Sequence, residues 1–89
     1  MPDLTEGERL NIRWAIKTAI VKIGFEVKGF EDVEKTAKQD DVVNWMLKNT
    51  EFTRKQINEI LYASISDGQL IQRFLERDYY LSINHIAGC

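Results

Sequence analysis

Three sites in this chain carry the Ser/Thr-x-x-Glu/Gln pattern of a helix N-terminal capping box. In a capping box, the first side chain accepts a hydrogen bond from a backbone N–H, and the fourth side chain accepts one in return. Apolar residues at helical spacing follow each site, and the only proline is Pro2, so no interior proline breaks a helix. The pattern therefore predicts three helix starts: Thr5 with Glu8, Thr53 with Gln56, and Ser66 with Gln69.

Apolar periodicity extends this to an all-α fold, with residues 1–89 forming a single compact bundle of four or five short helices. The predicted helices are Glu6 to Ile23, a weaker one from Glu31 to Gln39, Val42 to Lys48 capped by Asp40 or Asp41, Arg54 to Ser66, and Gln69 to Asp78. Gly24 ends the first helix, residues 25–30 form a linker and residues 49–52 a turn. Residues 79–89 form a tail that extends the last helix, packs as a strap or makes a short strand. The predicted core contains Ile16, Ile20, Ile57, Leu61, Leu70 and Phe74.

The first predicted helix is apolar on two opposite faces. At 100° per residue, one face carries Leu10, Trp14, Val21 and Phe25, and the other carries Ile12, Ile16, Ala19 and Ile23. A helix of this kind is usually sandwiched, so it is either central or meets another chain. Between the faces runs a basic stripe, which is either a surface for phosphates or an acidic partner, or a solvated face: Arg9, Arg13 and Lys17.

Charge and composition restrict the classes of function. Twelve basic and fourteen acidic residues give a net charge of -2, without the basic excess of a generic nucleic-acid or membrane-surface binder. Cys89 is the only cysteine, which excludes an intramolecular disulfide and fits a reducing compartment. The first residues lack the pattern of a secretion signal, and no apolar run approaches a membrane span. We expect a cytoplasmic protein that does not insert in membranes.

The inventory of reactive groups does not favour an enzyme. His85 and Cys89 supply two of the four ligands that a structural zinc site needs. There is no glycine-rich phosphate loop, and the carboxylate pairs at residues 31–32 and 40–41 stand where helices are predicted to begin. We therefore expect no catalytic residues, no metal, no cofactor and no small-molecule substrate.

The order of predicted elements over residues 41–77 resembles the helical part of a helix-turn-helix or winged-helix domain. On that resemblance the last helix faces DNA, and the candidate nucleic-acid residues are Arg54, Lys55, Gln69, Gln72, Arg73 and Arg77, with Ser66 beside them. Three features oppose it. The connector at residues 62–65 is long, the eleven residues after Asp78 are too few for a two-stranded wing, and residues 40–89 hold five basic against seven acidic side chains.

Aromatic and apolar residues favour protein binding instead. The chain has nine aromatic residues, more than a small domain buries completely, and exposed aromatic side chains commonly anchor interfaces. The candidate interface residues are Trp14, Phe25, Phe30, Tyr79, Tyr80, Ile83 and Ile86. The favoured hypothesis is a small non-enzymatic inhibitor, adaptor or modulator of a larger protein, resembling accessory proteins of phages and mobile elements. A homodimer is compatible with it, and a dimeric helix-turn-helix transcriptional regulator is the alternative.

Overall fold

The computed structural model describes residues 4–25 and 35–84, which form three helices and a three-stranded sheet. In chain order the elements are α1 (Glu6–Ile23), β1 (Thr36–Lys38), α2 (Gln39–Asn49), α3 (Arg54–Ser66), β2 (Leu70–Leu75) and β3 (Asp78–Ile83). The fold is α+β, so the predicted all-α bundle is wrong. The predicted domain organisation, a single unit over residues 1–89, includes stretches outside the described residues.

Two of the three predicted capping boxes form. The Thr5 hydroxyl accepts from the Glu8 N–H at 3.1 Å, and the Glu8 carboxylate accepts from the Thr5 N–H at 3.0 Å. Thr53 and Gln56 make the same exchange at 3.2 and 2.9 Å. The bounds predicted for these two helices, residues 6–23 and 54–66, are confirmed.

The third predicted capping box, at Ser66 and Gln69, is wrong because a helix ends there instead of beginning. Gly68 takes a left-handed φ of 81°, its N–H donates to the Ile65 carbonyl, and the N–H of Gln69 donates to the Ser64 carbonyl. This is a Schellman motif, which terminates α3 and satisfies two of its last carbonyl groups. The chain leaves it as an extended strand.

The predicted last helix, Gln69 to Asp78, is an antiparallel hairpin of β2 and β3. Their register runs from Leu70 opposite Ile83 to Leu75 opposite Asp78, and the loop between the strands is Glu76-Arg77. Both loop residues have positive φ, 51° and 71°, as a type I′ turn requires. Of the alternatives for the tail, the strand is the one that forms, over residues 79–83.

A short strand also replaces part of the weak helix predicted over residues 31–39. Residues 36–38 form β1, which pairs with β3, so the sheet has the order β1-β3-β2 with β3 in the centre. Residues 31–34 lie outside the described part of the chain. The following helix begins at Gln39, before the predicted Val42, and its N-cap is Lys38 without a side-chain bond. The predicted cap at Asp40 or Asp41 is therefore wrong. Both carboxylates nevertheless lie in the first turn of α2, where their negative charge interacts favourably with the helix dipole.

The core lies between the three helices and one face of the sheet. Five of the six predicted core residues are buried, on α1, α3 and β2: Ile16, Ile20, Ile57, Leu61 and Leu70. Phe74, the sixth, is 64% exposed, because strand geometry carries it along β2 to the outer end of the hairpin, past the helices. Ile12, Met46, Ile60 and Leu81 are also fully buried.

Candidate nucleic-acid interface

The helices α2 and α3 are joined by a four-residue connection, residues 50–53. Thr50 closes α2, because both its N–H and its hydroxyl donate to the Met46 carbonyl, at 2.8 and 2.7 Å. Phe52 packs against the core, and Thr53 then caps α3. The turn is therefore held at both ends and anchored in its middle, which fixes how α3 projects from the domain.

The β2–β3 hairpin lies beside this unit and is tied to it by side-chain amides. The Gln72 amide donates to the side-chain carbonyl of Gln39 at 2.6 Å. The Gln39 amide in turn donates to the Tyr62 hydroxyl at a longer 3.4 Å. These bonds connect the hairpin, the start of α2 and the outer face of α3, so the three elements present one surface.

The outer face of α3 is polar and accessible. Arg54, Lys55 and Tyr62 are exposed, and Asn58 is half-buried at the edge of the same face. On the opposite side Ile57 and Leu61 are fully buried, which fixes the rotation of the helix. Cationic, amide and phenolic groups in this arrangement are suited to phosphate and base-edge contacts.

The basic stripe of α1 is engaged inside the molecule. Arg9 donates to Glu59 of α3 at 3.3 Å, and Arg13 donates to Asp67 at 3.1 Å. Lys17 donates to the Gln69 side-chain carbonyl at 3.2 Å. Within the described residues, all three side chains of the stripe therefore have partners on α3, just after it or at the start of the hairpin.

These contacts change the charge of the surface formed by α2, α3 and the hairpin. Glu59 and Asp67 are paired with α1, and Asp78 lies 3.5 Å from Lys38, whose pKa it raises above its ordinary 10.5. Three of the seven carboxylates in residues 40–89 are thus paired with bases from earlier in the chain. Four carboxylates are left against five basic side chains, so the acidic excess does not apply to this surface. Glu51 and Glu76 still lie near its cations.

The six candidate nucleic-acid residues occupy different elements from those predicted, because the helix assigned to DNA recognition is absent. Arg54 and Lys55 lie in the first turn of α3, and Arg77 is exposed in the hairpin turn. Gln72 and Arg73 are half-buried on β2, while Gln69, also half-buried, is held by Lys17. The structure thus brings Gln72 to the α3 surface and gives Gln69 an internal role.

The candidate protein-interface residues divide between two places. Trp14 (70% exposed) lies on α1 and Phe25 (47%) just past its end, where it pairs with Thr36, whereas Tyr79 packs on Phe74 at the hairpin, with 5.0 Å between ring centroids. Tyr80 is buried, with its ring 6.5 Å from that of Phe25 in an edge-on arrangement, and Ile83 is half-buried against the core. Phe30 and Ile86 lie outside the described residues.

The sequence pattern did not single out Asn58 and Tyr62, which lie on the outer face of α3. The signal was present, since both lie away from the apolar stripe of Ile57, Ile60 and Leu61. It was overlooked because α3 was interpreted as the supporting helix and the next segment as the recognition helix.

Neither a metal-binding cluster of three or more histidine, cysteine or carboxylate residues nor a helix long and apolar enough to cross a bilayer occurs in residues 4–25 and 35–84. Comparison of the chain with protein-family models, curated proteins and solved structures finds no match. Function is therefore inferred from the site alone.

Proposed function

We propose that the protein binds DNA as a winged helix-turn-helix, with α3 in the major groove and the β2–β3 hairpin on the adjacent backbone. The observation that carries the proposal is the connection of α2, a four-residue turn and α3 to a hairpin held at the same surface by Gln39. This resembles the winged-helix arrangement, and the hairpin supplies the wing that the sequence pattern did not predict. Such helices contact base edges mainly through their N-terminal residues.

The residues at the N-terminal end of α3 suit that role. Arg54 and Lys55 neutralise phosphates or donate to guanine, and the Asn58 amide matches the donor and acceptor pattern of adenine. Arg77, exposed at the hairpin tip, reaches a neighbouring phosphate or the minor groove. We therefore assign base contacts to Arg54, Lys55 and Asn58, and backbone contact to Arg77.

The α1 ion pairs support this function indirectly. An unpaired Glu59 on the outer face of α3 would repel phosphates, and Arg9 reduces that repulsion by holding the carboxylate at 3.3 Å. The pair is partly exposed and contributes little to stability. Its larger effect is on the local potential, so replacing Arg9 by alanine weakens DNA binding although the residue lies on another helix.

Fluorescence anisotropy of a labelled random-sequence duplex tests the proposal. We expect binding at about 50 mM salt that weakens steeply towards about 200 mM, because bound phosphates release counterions. Lys55→Glu should weaken binding by about tenfold or more and lower the salt slope. Lys35→Glu is the matched control, since Lys35 is an exposed lysine outside the two helices and the hairpin. Salt-independent affinity, or equal losses in the two variants, would contradict the proposal.

A protein partner is the second candidate, favoured by the exposed apolar side chains of α1. Leu10, Trp14 and Val21 are each more than half exposed on one face of that helix. The earlier hypothesis of an inhibitor or adaptor acting on a larger protein uses this face. A pull-down with immobilised protein, in which Val21→Glu loses the captured species and Lys55→Glu keeps it, would favour this function over DNA binding.

A further inference from the structure

The outward face of α1 carries a row of apolar side chains with no cover from the described residues. The row is defined by Leu10, Trp14 and Val21, which are 60%, 70% and 54% exposed, and we call it the α1 ridge. It lies opposite the buried Ile12 and Ile16. Positions 10, 14 and 21 follow the spacing of a helix–helix seam.

We infer that the α1 ridge is the interface of a homodimer in which α1 packs antiparallel against α1 of a second copy. The inference goes beyond the proposed function, and either of the two can hold without the other. Three observations support a second copy of the chain as the partner. They are the distribution of charge along α1, the shape of the surface around Trp14, and a glycine in α1 that relieves no crowding among the described residues.

Charge favours the antiparallel arrangement. The first turn of α1 carries Glu6 and Glu8, and the last turn carries Lys22. Antiparallel packing brings the acidic end of one helix beside the basic end of the other, and it also opposes the two helix dipoles favourably. Parallel packing would bring the like charges together.

The surface is concave on both sides of Trp14. One depression, of about 520 Å³, is lined by Glu6, Gly7, Arg9, Leu10 and Arg13. The other, of about 360 Å³, is lined by Trp14, Lys17, Thr18, Val21 and Lys22. A two-fold axis at Trp14 sets Leu10 of one copy opposite Thr18 of the other, and Val21 opposite Gly7. Leu10 and Val21 of one copy then each meet a depression of the other, and the two Trp14 side chains meet at the axis.

Within the described residues, Gly7 has no steric explanation. A Cβ added there would meet only the Thr5 hydroxyl oxygen, at 4.0 Å, so the glycine relieves no crowding. Glycine in a helix costs stability relative to alanine. In the dimer, its missing side chain leaves room for Val21 of the second copy. The ridge is small beside interfaces that hold stable dimers, so we expect micromolar association.

Analytical ultracentrifugation of the full chain over a range of concentrations tests the inference. We expect the mass to rise from 10.4 kDa towards twice that value. Val21→Glu should weaken association by more than about tenfold, since it puts a carboxylate into the depression lined by Glu6 and Gly7 of the second copy. Phe74→Glu is the matched control, because it removes an exposed apolar side chain from the hairpin. Circular dichroism melting of both variants establishes that they fold.

Cross-linking tests the orientation. In a Cys89→Ser background, Trp14→Cys should form a disulfide-linked dimer on oxidation, because the axis passes through that position. Val21→Cys should not, since seven residues from the axis place the two sulfurs about 20 Å apart, beyond disulfide reach. A monomer at all concentrations, or a dimer that Val21→Glu leaves intact, would overturn the inference. Cross-linking of Val21→Cys as efficient as that of Trp14→Cys would overturn the antiparallel arrangement.

Discussion

The hydroxyl oxygens of Thr36 and Ser82 lie 2.8 Å apart in a hydrogen bond between β1 and β3, and both side chains are buried. They are directly opposite in the register of the sheet. Each hydroxyl therefore satisfies the other where solvent has little access. Because β1 has only three residues, this bond is a substantial part of what attaches it to the central strand.

Ser82→Ala should destabilise the protein by about 1–3 kcal/mol, because it leaves the Thr36 hydroxyl buried without its partner. Thr36→Val should destabilise the protein in the same way, because it leaves the Ser82 hydroxyl buried without its partner. The double variant should lose less unfolding free energy than the two single variants lose together, since neither hydroxyl is then left unsatisfied. Urea unfolding of the four proteins measures the cycle, and additive losses would show that the two hydroxyls are not coupled.

Capping provides a comparison between two sites that look alike in sequence. Thr53→Ala should destabilise the protein by about 1 kcal/mol, because the Thr53 side chain caps α3. Ser66→Ala, at the site where the same pattern ends a helix, should change stability by less than about 0.5 kcal/mol. Thermal melting compares the two. Equal losses would mean that the Thr53 capping box contributes nothing specific.

These two sites also show how far sequence reasoning reaches. Helices α1 and α3 were predicted with correct bounds because strong local signals, a capping box and a following apolar stripe, agree with the tertiary contacts. At Ser66 the same four-residue pattern occurs by coincidence. The adjacent Asp67-Gly68 predicts the end of α3 at Ser66, which is confirmed, but no local signal shows that the chain continues as a strand.

The hairpin could not be predicted for a related reason. Leu70, Ile71, Phe74 and Leu75 have the spacing of an amphipathic helix, and no Asn-Gly or Asp-Gly pair marks the turn between the strands. Pairing with β1, more than thirty residues away in sequence, makes β3 the central strand, and this contact is invisible to local patterns. The helix to which the sequence pattern assigned DNA contact is absent for the same reason, since residues 70–75 form β2.

Acid should weaken the N-terminal capping box of α1. Hydrogen bonds from the N–H and then the hydroxyl of Thr5 lower the pKa of Glu8 below its ordinary 4.5. A lowered folded-state pKa gives stability that is present above the unfolded value and is lost as the pH falls through the folded value. Glu8→Gln should therefore reduce the loss of stability between about pH 5 and pH 3.

Urea midpoints measured across that range for Glu8→Gln and for Glu51→Gln check the pH prediction. Glu51 is an exposed carboxylate in the turn between α2 and α3, so its replacement controls for the general effect of removing one negative charge. Identical pH profiles in the two variants would assign the effect to net charge instead of the capping hydrogen bonds.

Substitutions in the hairpin turn should stabilise the protein, because two non-glycine residues occupy left-handed conformations there. Glu76 and Arg77 have φ of 51° and 71°, and such conformations cost L-residues other than asparagine, aspartate and glycine about 1–2 kcal/mol. Arg77→Gly should stabilise the protein by about 1 kcal/mol, raising the melting temperature by about 4–8 °C. Glu76→Asn should act in the same direction and more weakly.

Arg77→Ala separates backbone conformation from charge, because it removes the cation but keeps a Cβ. If strain in the turn is the cause, alanine gives little stabilisation and glycine gives most of it. A gain of equal size in both variants would instead assign the effect to the guanidinium group. DNA affinity measured on the same proteins has a different expected pattern, since both substitutions remove the proposed phosphate contact and should weaken binding alike. One pair of variants at the hairpin tip thus tests the folding argument and the function proposed for Arg77 through independent measurements.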